Sequence, residues 1–373
     1  RLGTQKVTSS APGGVLENAA SSPQHRGFTR PQPRSAQAGP GPVKVLLIGA
    51  QKARLGELEA GLLRAQPGWA CRSSNTGTEA LEAIASSFFD VLVLQSAQGE
   101  GLEFLQKLTE ASPRTTRFVL GDHARTAAMA SHLRAETEFL HPDTEAGIVA
   151  EEVARTLTVQ QWMSGPSMKK LLSSIHKLPT PPRVHMQIVE KLRDPDGSLE
   201  EVSQLVAQDP VMTGKFLQIV NSACFALART ITDPSEAVMF LGSERTRSLV
   251  LMANVFSQFD GMRCPGFSPE EVWNHSTRVA SLARGIALIE SEDPKMAEMA
   301  FTAGLLHEIG NLVLAGNAPE MFATVRRFQS SRQLPLVEAE REMLGTTTAL
   351  LGACLLGTWK LPLPILEAVA WHG

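Results

Sequence analysis

The sequence predicts two folded domains, an α/β domain built on a parallel sheet and an all-α domain after it. The chain has 373 residues, more than a single hydrophobic core usually serves. Between residues 43 and 160, short apolar runs alternate with helical patterns, which is typical of a doubly wound parallel sheet. From residue 166 to residue 373, only helical periods occur, separated by proline and glycine.

The strands of the α/β domain are predicted from short, mainly apolar segments. Five of these segments have the length of buried strands: Val45–Ile48, Trp69–Arg72, Phe89–Leu94, Arg117–Leu120 and Glu138–Leu140. A helical pattern follows each strand, around residues 55–63, 76–85, 102–108, 124–133 and 148–157. Because parallel strands need right-handed crossovers, few topologies remain, and a flavodoxin-like strand order fits the length.

The remaining segments are predicted from composition and from helix caps. Residues 1–42 are rich in Ser, Ala, Gly, Gln and Pro without any periodicity, so we expect a disordered tail. In the second domain, Ser198 is followed three residues later by Glu201, which is a capping-box pattern. Asp233–Pro234 and Ser268–Pro269 each place a cap residue before a proline suited to the first helical turn. The predicted domains are therefore 43–160 and 166–373.

The overall composition excludes several classes of protein. The formal net charge is −3, with 43% hydrophobic and 20% charged residues, so neither nucleic acid nor an anionic membrane is an expected partner. The most apolar stretch, Leu249–Phe256, is far shorter than the roughly 20 residues of a membrane span. The 4 cysteines are scattered without a CxxC pair, as in a reducing cytosol. No apolar leader follows Arg1, so we expect a cytoplasmic protein.

The alternation of five strands and five helices resembles the receiver domain of two-component response regulators. Receivers carry an acidic pair after the first strand, a phosphate-accepting Asp after the third, Thr or Ser after the fourth, and Lys before Pro after the fifth. A carboxylate attacks phosphorus only where a metal and a cation offset the crowded negative charge. Other residues stand at these positions here: Gly49, Ala50, Gln95, Gly121 and His141. The resemblance therefore implies a degenerate receiver, whose pocket the nearby Asp122 does not rebuild by itself.

The second domain contains a series of short motifs. In chain order they are Lys177–Pro182, Gln208–Met212, Leu217–Ala223, Phe240–Gly242, Trp273–Ser276, Gly304–Gly310, Trp359–Pro362 and Ala370–His372. In order and spacing they resemble the HDOD family, which is related to the HD phosphohydrolases, over about residues 168–373. The Asp-Pro pair followed by Asn-Ser-Ala is the most specific part. Family members usually continue with further helices, so we expect the native chain to extend beyond Gly373.

HD phosphohydrolases bring His, His-Asp and Asp ligands onto one metal, which activates water for phosphoester hydrolysis. The corresponding residues here are His275, His307, Glu308, Thr348 and His372. His275 is predicted on the apolar face of its helix, and His307 and Glu308 within a helix that is apolar nearly all round. Glu replaces the expected Asp, Thr replaces a further His, and no partner Asp follows. We therefore interpret these residues as vestigial, hydrogen-bonded packing residues and expect no catalytic residue, metal or cofactor.

Two further groups have a structural and a functional interpretation. Asp209, Asn221 and Ser222 could line a pocket or satisfy backbone groups at a helix end, and the structural interpretation is favoured. Five arginines could bind an anionic ligand or form solvated helix surfaces, and the second is again favoured: Arg245, Arg247, Arg326, Arg327 and Arg332.

These observations predict a non-catalytic bacterial signalling scaffold that acts through protein–protein contacts. The family resemblance suggests signalling proteins as partners, such as sensor kinases or cyclic-dinucleotide enzymes, and a homodimer is a candidate assembly. The alternative is a metal-dependent phosphohydrolase acting on a nucleotide or cyclic dinucleotide, and a weaker one is a nucleotide sensor without turnover. The completeness of the metal-ligand set separates these hypotheses.

Overall fold

The computed structural model of the chain describes most of the two predicted domains. Its described residues are 42–95, 102–121, 137–179, 186–188, 191, 198–208, 210–221, 229–259, 261–291 and 293–373. Residues 1–41 of the predicted tail (1–42), the helix predicted around 124–133, Asp122, Asp209, Ser222 and Cys224 lie outside them.

The α/β region contains a sheet of five parallel strands. The strands are β1 (Lys44–Ile48), β2 (Ala70–Ser74), β3 (Val91–Gln95), β4 (Thr116–Leu120) and β5 (Thr137–Leu140). Their order in the sheet is β2-β1-β3-β4-β5, with Val45 opposite Val91 and Val91 opposite Thr116. The five predicted strands are confirmed with shifts of at most two residues at each end.

Helices cover both faces of this sheet. They are α1 (Lys52–Ala65), α2 (Gly77–Ser86), α3 (Leu102–Ala111) and α4 (Ala146–Ser164). Successive strand residues point to opposite faces, so Val45 and Val91 pack with Leu58 of α1 and Val149 of α4. The intervening residues of the same strands form a second core with α2 and α3. Both faces are buried, as the continuous apolar runs indicate.

The region after residue 165 is helical. Its described helices are α5 (Pro166–Ser173), α6 (Leu199–Ala207), α7 (Pro210–Val220), α8 (Pro234–Leu241), α9 (Ser243–Gln258), α10 (Pro269–Ser291), α11 (Pro294–Leu306), α12 (Ile309–Asn317), α13 (Pro319–Arg332), α14 (Leu336–Leu344), α15 (Thr348–Thr358) and α16 (Leu363–Ala370). Among the described residues, the β-structure of this region is a single bridge between Cys264 and Phe267. The predicted all-α architecture is confirmed.

The helix caps read from the sequence are present. Ser198 accepts a hydrogen bond from the backbone N–H of Glu201, whose side chain accepts one from the Ser198 N–H in return. The Asp233 carboxylate accepts a bond from Ser235 N, and the Ser268 hydroxyl accepts one from Glu271 N at 3.3 Å. Each cap satisfies a backbone donor that the first helical turn leaves without an internal partner.

Helix α4 belongs to both regions. Its first half buries Val149 and Val153 against the sheet, while Val159 lies in the core of the helical region. The buried Arg155 donates a 3.0 Å hydrogen bond to the carbonyl oxygen of Gly357 in α15. A Cβ atom on Gly357 would lie 2.3 Å from the Val159 side chain, so a glycine is needed for the two helices to come this close.

One apolar stretch is longer than the sequence analysis recognised. Residues 294–317, which span α11 and α12, contain an 18-residue window of mean hydropathy 1.2, which is long and apolar enough to cross a membrane by length and composition alone. The expectation that no apolar stretch approaches this length was therefore wrong. In the structure 78% of the most apolar window is buried inside the protein, as in the central helix of a helical core, where neighbouring helices cover most of the surface.

Candidate functional site

The carboxyl ends of the parallel strands bring the positions compared with receivers in the sequence to one edge of the sheet. Gly49 follows β1, Gln95 ends β3, Gly121 follows β4 and His141 follows β5. The Gln95 side chain lies over Gly49, where a Cβ atom would be only 2.9 Å from the Cβ of Gln95. Its amide nitrogen donates a 3.0 Å hydrogen bond to the side-chain oxygen of Gln51.

The five positions themselves carry no carboxylate. Gly49, Ala50 and Gly121 offer no side-chain ligand, and His141 is exposed with its Nδ1 accepting a bond from the Asp143 N–H. Magnesium in proteins prefers carboxylate and other anionic oxygen ligands. An amide is also a poor nucleophile toward phosphorus, so the five predicted positions provide neither the metal site nor the acceptor of a working receiver.

A second group of side chains lies where α10, α11 and α12 meet. Gly304 allows α10 and α11 to pack closely, because a Cβ there would lie 2.9 Å from the backbone of Ala280. The packing sets His275 of α10 beside His307, with their Nε2 atoms 3.2 Å apart. Glu308 Oε1 is 3.7 Å from the same Nε2 of His307. One ligand atom from each of the three residues lies within 4.8 Å of the others.

The tautomer of His307 follows from its backbone contact. His307 Nδ1 is 2.7 Å from the carbonyl oxygen of Gly304, and a carbonyl oxygen can only accept a hydrogen bond. Nδ1 therefore carries the proton, and Nε2 of the neutral ring presents a lone pair toward His275. Burial lowers the pKa of His307 and outweighs the Gly304 contact and the Glu308 charge, which act in the opposite direction. The neutral form is favoured.

Two predictions about these residues were wrong. His307 and Glu308 do not lie inside a helix but form the turn between α11, which ends at Leu306, and α12, which begins at Ile309. His275 is exposed, while the neighbouring Ser276, Thr277 and Ala280 form the buried side of α10. Helix α10 also has an exposed apolar stripe at Leu282, Ile286 and Ile289, so hydrophobic periodicity does not identify its core face.

Thr348 and His372 lie near the three-residue cluster without joining it. The Thr348 hydroxyl is 2.7 Å from Asn311 Oδ1 and 2.5 Å from Glu340 Oε1. His372 Nδ1 is 2.7 Å from the carbonyl oxygen of Val369, and its ring packs edge-on against His307 with centroids 4.8 Å apart. Of the five predicted positions, three form the cluster and two surround it.

The comparison with known families explains this arrangement. A model of the HDOD domain matches residues 178–373, just over half of the chain. This chain belongs to the HDOD family. The match begins after α5 and contains the whole histidine cluster, so the cluster is part of the HDOD domain.

Individual relatives are distant. An uncharacterised protein of Treponema pallidum (strain Nichols) is 27% identical over 201 residues, which are 53% of this chain and 38% of that protein. This chain therefore spans well under half the length of that relative. A structure of an HDOD domain protein of unknown function from Geobacter sulfurreducens is 27% identical, with a TM-score of 0.46, over 59% of this chain and 70% of that one. A protein of Shewanella amazonensis SB2B, named as a presumed phosphohydrolase, is 26% identical, with a TM-score of 0.46, over 57% and 73%.

The Asn221 side chain has a structural role in the HDOD domain. Its amide nitrogen donates bonds to the carbonyl oxygens of Leu217 and Ile231, and its oxygen accepts a 2.8 Å bond from Ile231 N. These bonds fasten the end of α7 to the segment before α8. The structural interpretation therefore holds for Asn221, whereas Asp209 and Ser222, predicted with it, lie outside the described residues.

The arginines singled out in the sequence are divided between two helices of the HDOD domain. On α9, Arg245 lies 3.5 Å from a carboxylate oxygen of Glu298, and Arg247 lies 2.6 Å from one of Glu244. The others lie exposed on α13: Arg326, Arg327 and Arg332. Paired and solvated guanidinium groups are the arrangement that the structural interpretation predicts.

Sequence reasoning missed two polar residues of the HDOD site, Asn311 and Glu340. Asn311 Nδ2 donates a short hydrogen bond to Glu308 Oε2, and Glu340 is only 3% exposed. A weak signal existed for Asn311, which follows His307 by four residues and so shares a helix face with it if the helix is continuous. Glu340 gave none, because its contact with Thr348 depends on the packing of α14 against α15.

Proposed function

We propose that this HDOD protein is a non-catalytic signalling scaffold of the bacterial cytoplasm that acts through protein partners. A receiver-like domain without phosphorylation chemistry is joined to the helical HDOD domain. The observation that carries the proposal is the sheet edge, where the Gln95 amide lies over Gly49 and bonds to Gln51. The strand order β2-β1-β3-β4-β5, which flavodoxin-like folds share, supports the receiver-like assignment.

The first test asks whether the receiver-like domain accepts a phosphoryl group. The full chain is incubated with acetyl phosphate and magnesium, and its intact mass is measured beside that of an active receiver. We expect an unchanged mass for this chain. A gain of one phosphoryl group that disappears in Gln95→Ala, or that maps to Asp122, contradicts the proposal.

The second test concerns the positive part of the proposal, binding to a protein partner. The full chain is used as bait in a bacterial lysate, with His307→Ala as a matched bait that keeps the surface but alters the cluster. A scaffold retains the same partner with both baits. A bait that enriches no protein argues against the scaffold.

A second candidate function is a metal-dependent phosphohydrolase, because the ligand atoms of His275, His307 and Glu308 converge. Two imidazole nitrogens on one tetrahedral zinc lie about 3.3 Å apart, close to the 3.2 Å between the two Nε2 atoms. His307 also donates its other ring N–H to a backbone carbonyl, as metal-binding histidines usually do. These three residues fit a divalent cation, which would supply Lewis acidity and activate water.

The scaffold proposal is preferred because, among the residues that the structure describes, the ligand set stops at three. Thr348 is engaged by Asn311 and Glu340, and His372 points its Nδ1 at the Val369 carbonyl. Neither residue contributes the additional carboxylate that HD phosphohydrolases carry. The chain's own residues therefore offer a cation two imidazoles and one carboxylate, with His307 held in the neutral form.

Elemental analysis and a turnover assay distinguish the two functions. The protein is prepared without chelator, and hydrolysis of an aryl phosphodiester is measured with manganese or iron added. We expect no turnover above that of the assay mixture without protein, either for the wild type or for a His176→Ala control, which removes an exposed histidine outside the cluster. Near-stoichiometric metal together with turnover that His307→Ala abolishes would establish the hydrolase. Metal without turnover leaves the scaffold with a structural ion.

A further inference from the structure

A chain of hydrogen bonds leads from the buried Glu340 to the histidine cluster. Glu340 Oε1 contacts the Thr348 hydroxyl at 2.5 Å, and that hydroxyl contacts Asn311 Oδ1 at 2.7 Å. Asn311 Nδ2 in turn donates to Glu308 Oε2, and Glu308 Oε1 faces Nε2 of His307. These hydrogen bonds join α14, α15 and α12, and each of them involves at least one buried side chain.

The number of protons shared along this series of hydrogen bonds determines which of its carboxyl groups is charged. The Thr348 hydroxyl has one hydrogen but two oxygen neighbours, Asn311 Oδ1 and Glu340 Oε1. One of these contacts must therefore be donated to Thr348 rather than by it. If the Asn311 amide were turned to donate to Thr348, its oxygen would face Glu308 Oε2, and Glu308 would have to carry a proton. If the amide stands as assigned, the proton belongs to Glu340.

Burial decides between the two carboxyl groups. Glu340 is 3% exposed, whereas 22% of the Glu308 side chain is exposed, so ionisation costs more at Glu340. Desolvation and the neighbouring Glu308 charge raise the pKa of Glu340, against the opposing bonds from Thr348 and the charge of His372. The other Glu340 oxygen, Oε2, accepts the Thr348 N–H at 3.0 Å, which a neutral acid can do as well.

We propose that Glu340 is a positioning residue that, as a neutral carboxylic acid, donates its proton to Thr348 and thereby fixes Asn311 and the Glu308 carboxylate. The Glu308 side chain is then held toward His307 by the bond from Asn311. The inference concerns the polar network itself and holds whether or not the cluster binds a metal. It does not depend on which of the two candidate functions is correct.

The first experiment locates the proton by infrared spectroscopy of the full chain at neutral pH. A protonated carboxylic acid shows a carbonyl-stretch band that an ionised carboxylate lacks. We expect this band in the wild type, in Glu308→Gln and in the exposed control Glu342→Gln, and its loss in Glu340→Gln. A band lost in Glu308→Gln but kept in Glu340→Gln, or no band in the wild type, overturns the proposal.

The second experiment tests positioning through the side-chain amide signal of Asn311 in NMR spectra, assigned by its loss in Asn311→Leu. Glutamine at position 340 can donate to Thr348 and accept from its N–H, so Glu340→Gln and Thr348→Ser should keep the wild-type signal. Glu340→Ala and the isosteric Thr348→Val should shift it. Thr348→Val removes the hydroxyl that makes both contacts and leaves Glu340 in place, so it tests the same link independently of Glu340→Ala. An unshifted signal in Thr348→Val, or equal shifts in Glu340→Gln and Glu340→Ala, contradicts the proposal.

Discussion

At the scale of single residues, His307 combines burial with an unprotonated ring. It is 7% exposed and bonded to the Gly304 carbonyl through Nδ1. Three titratable groups act on its ring: Glu308 of the same turn, His275 of α10 and His372 after α16. A proton on this ring would add a charge that the surrounding helices do not solvate, so the folded state favours the neutral form.

This preference predicts a pH dependence of stability. Because the pKa of His307 is lower in the folded chain, the unfolded chain binds more protons below about pH 6.5. The contribution of His307 to the free energy of unfolding is therefore constant above this pH. It is lost as the pH falls below this value, with a slope of at most about 1.4 kcal/mol per pH unit. Denaturant unfolding between pH 7 and pH 5 should show a steeper loss for the wild type than for His307→Gln.

A matched control isolates this effect. Glu340 acts in the opposite direction, since a raised carboxyl pKa means that the folded chain gains protons first as the pH falls. The contribution of Glu340 to the free energy of unfolding is common to the wild type and His307→Gln. It therefore cancels when the two pH profiles are subtracted. The exposed His176→Gln variant should follow the wild type. Parallel profiles for the wild type and His307→Gln would show that His307 titrates alike in both states.

At the scale of secondary-structure elements, close glycine contacts set the distances between helices. Gly310 of α12 faces the first turn of α15, where a Cβ atom would lie 1.8 Å from the carbonyl oxygen of Thr348. Gly352 stands in the same contact, with its own Cβ position 3.0 Å from Gly310 N. This approach of α12 and α15 brings Asn311 within hydrogen-bond distance of Thr348.

We expect Gly310→Ala to destabilise the protein by about 3 kcal/mol or more, because the added methyl group meets backbone atoms that cannot rotate away. Gly285→Ala is the control, since Gly285 lies in α10 with no atom within 4 Å of its Cβ position. Alanine there should stabilise the helix by up to about 1 kcal/mol. The measurement is urea unfolding of both variants, and similar midpoints for the two would contradict the assigned contact.

At the scale of the whole molecule, α4 connects the sheet region with the HDOD domain. Arg155 bonds to Gly357, Lys360 forms a 3.1 Å ion pair with Glu138 of β5, and Trp162 packs edge-on against Trp371 with ring centroids 6.4 Å apart. Trp371 directly precedes His372. The end of the sheet region is thus in contact with the helix that places His372 beside the cluster.

The predicted division into separately folding domains is testable by limited proteolysis with trypsin. We expect the first cuts within residues 1–42 and the next between 163 and 183. In that second window α4 and α5 protect the chain to Ser173, while Lys177 is exposed outside any helix. The Lys177 backbone is bonded to the Asn317 side chain, which explains why its cleavage should come second.

Substitution of Lys177 tests whether the second tryptic cut occurs at this residue. Lys177→Gln should remove the cut after residue 177 while leaving the removal of the first segment unchanged, and any cut that remains in the window should then follow Arg183. Early cuts between residues 200 and 300 would show that the boundary is misplaced.

The sequence by itself determined the two architectures and the two groups of candidate residues. Strand runs such as Val45–Ile48 and caps such as Ser198 with Glu201 are local signals, because side-chain alternation and capping depend on residues a few positions apart. The family motifs likewise identified His275, His307 and Glu308 before any coordinates. The same local signals placed His275 on the apolar face of its helix and His307 inside a helix, but His275 is exposed and His307 lies in a turn between two helices.

The tertiary structure decided which of those residues meet. Thr348 and Asn311 lie 37 positions apart in the chain, and their contact depends on the glycines that let α12 and α15 touch. The break in the helix at His307 also reflects tertiary context, because an apolar run from Pro294 to Asn317 has no cap residue or proline that marks it. Distances between helices depend on packing across the whole core, so the sequence could specify the ligands of the cluster but not the buried acid that holds Glu308 in place.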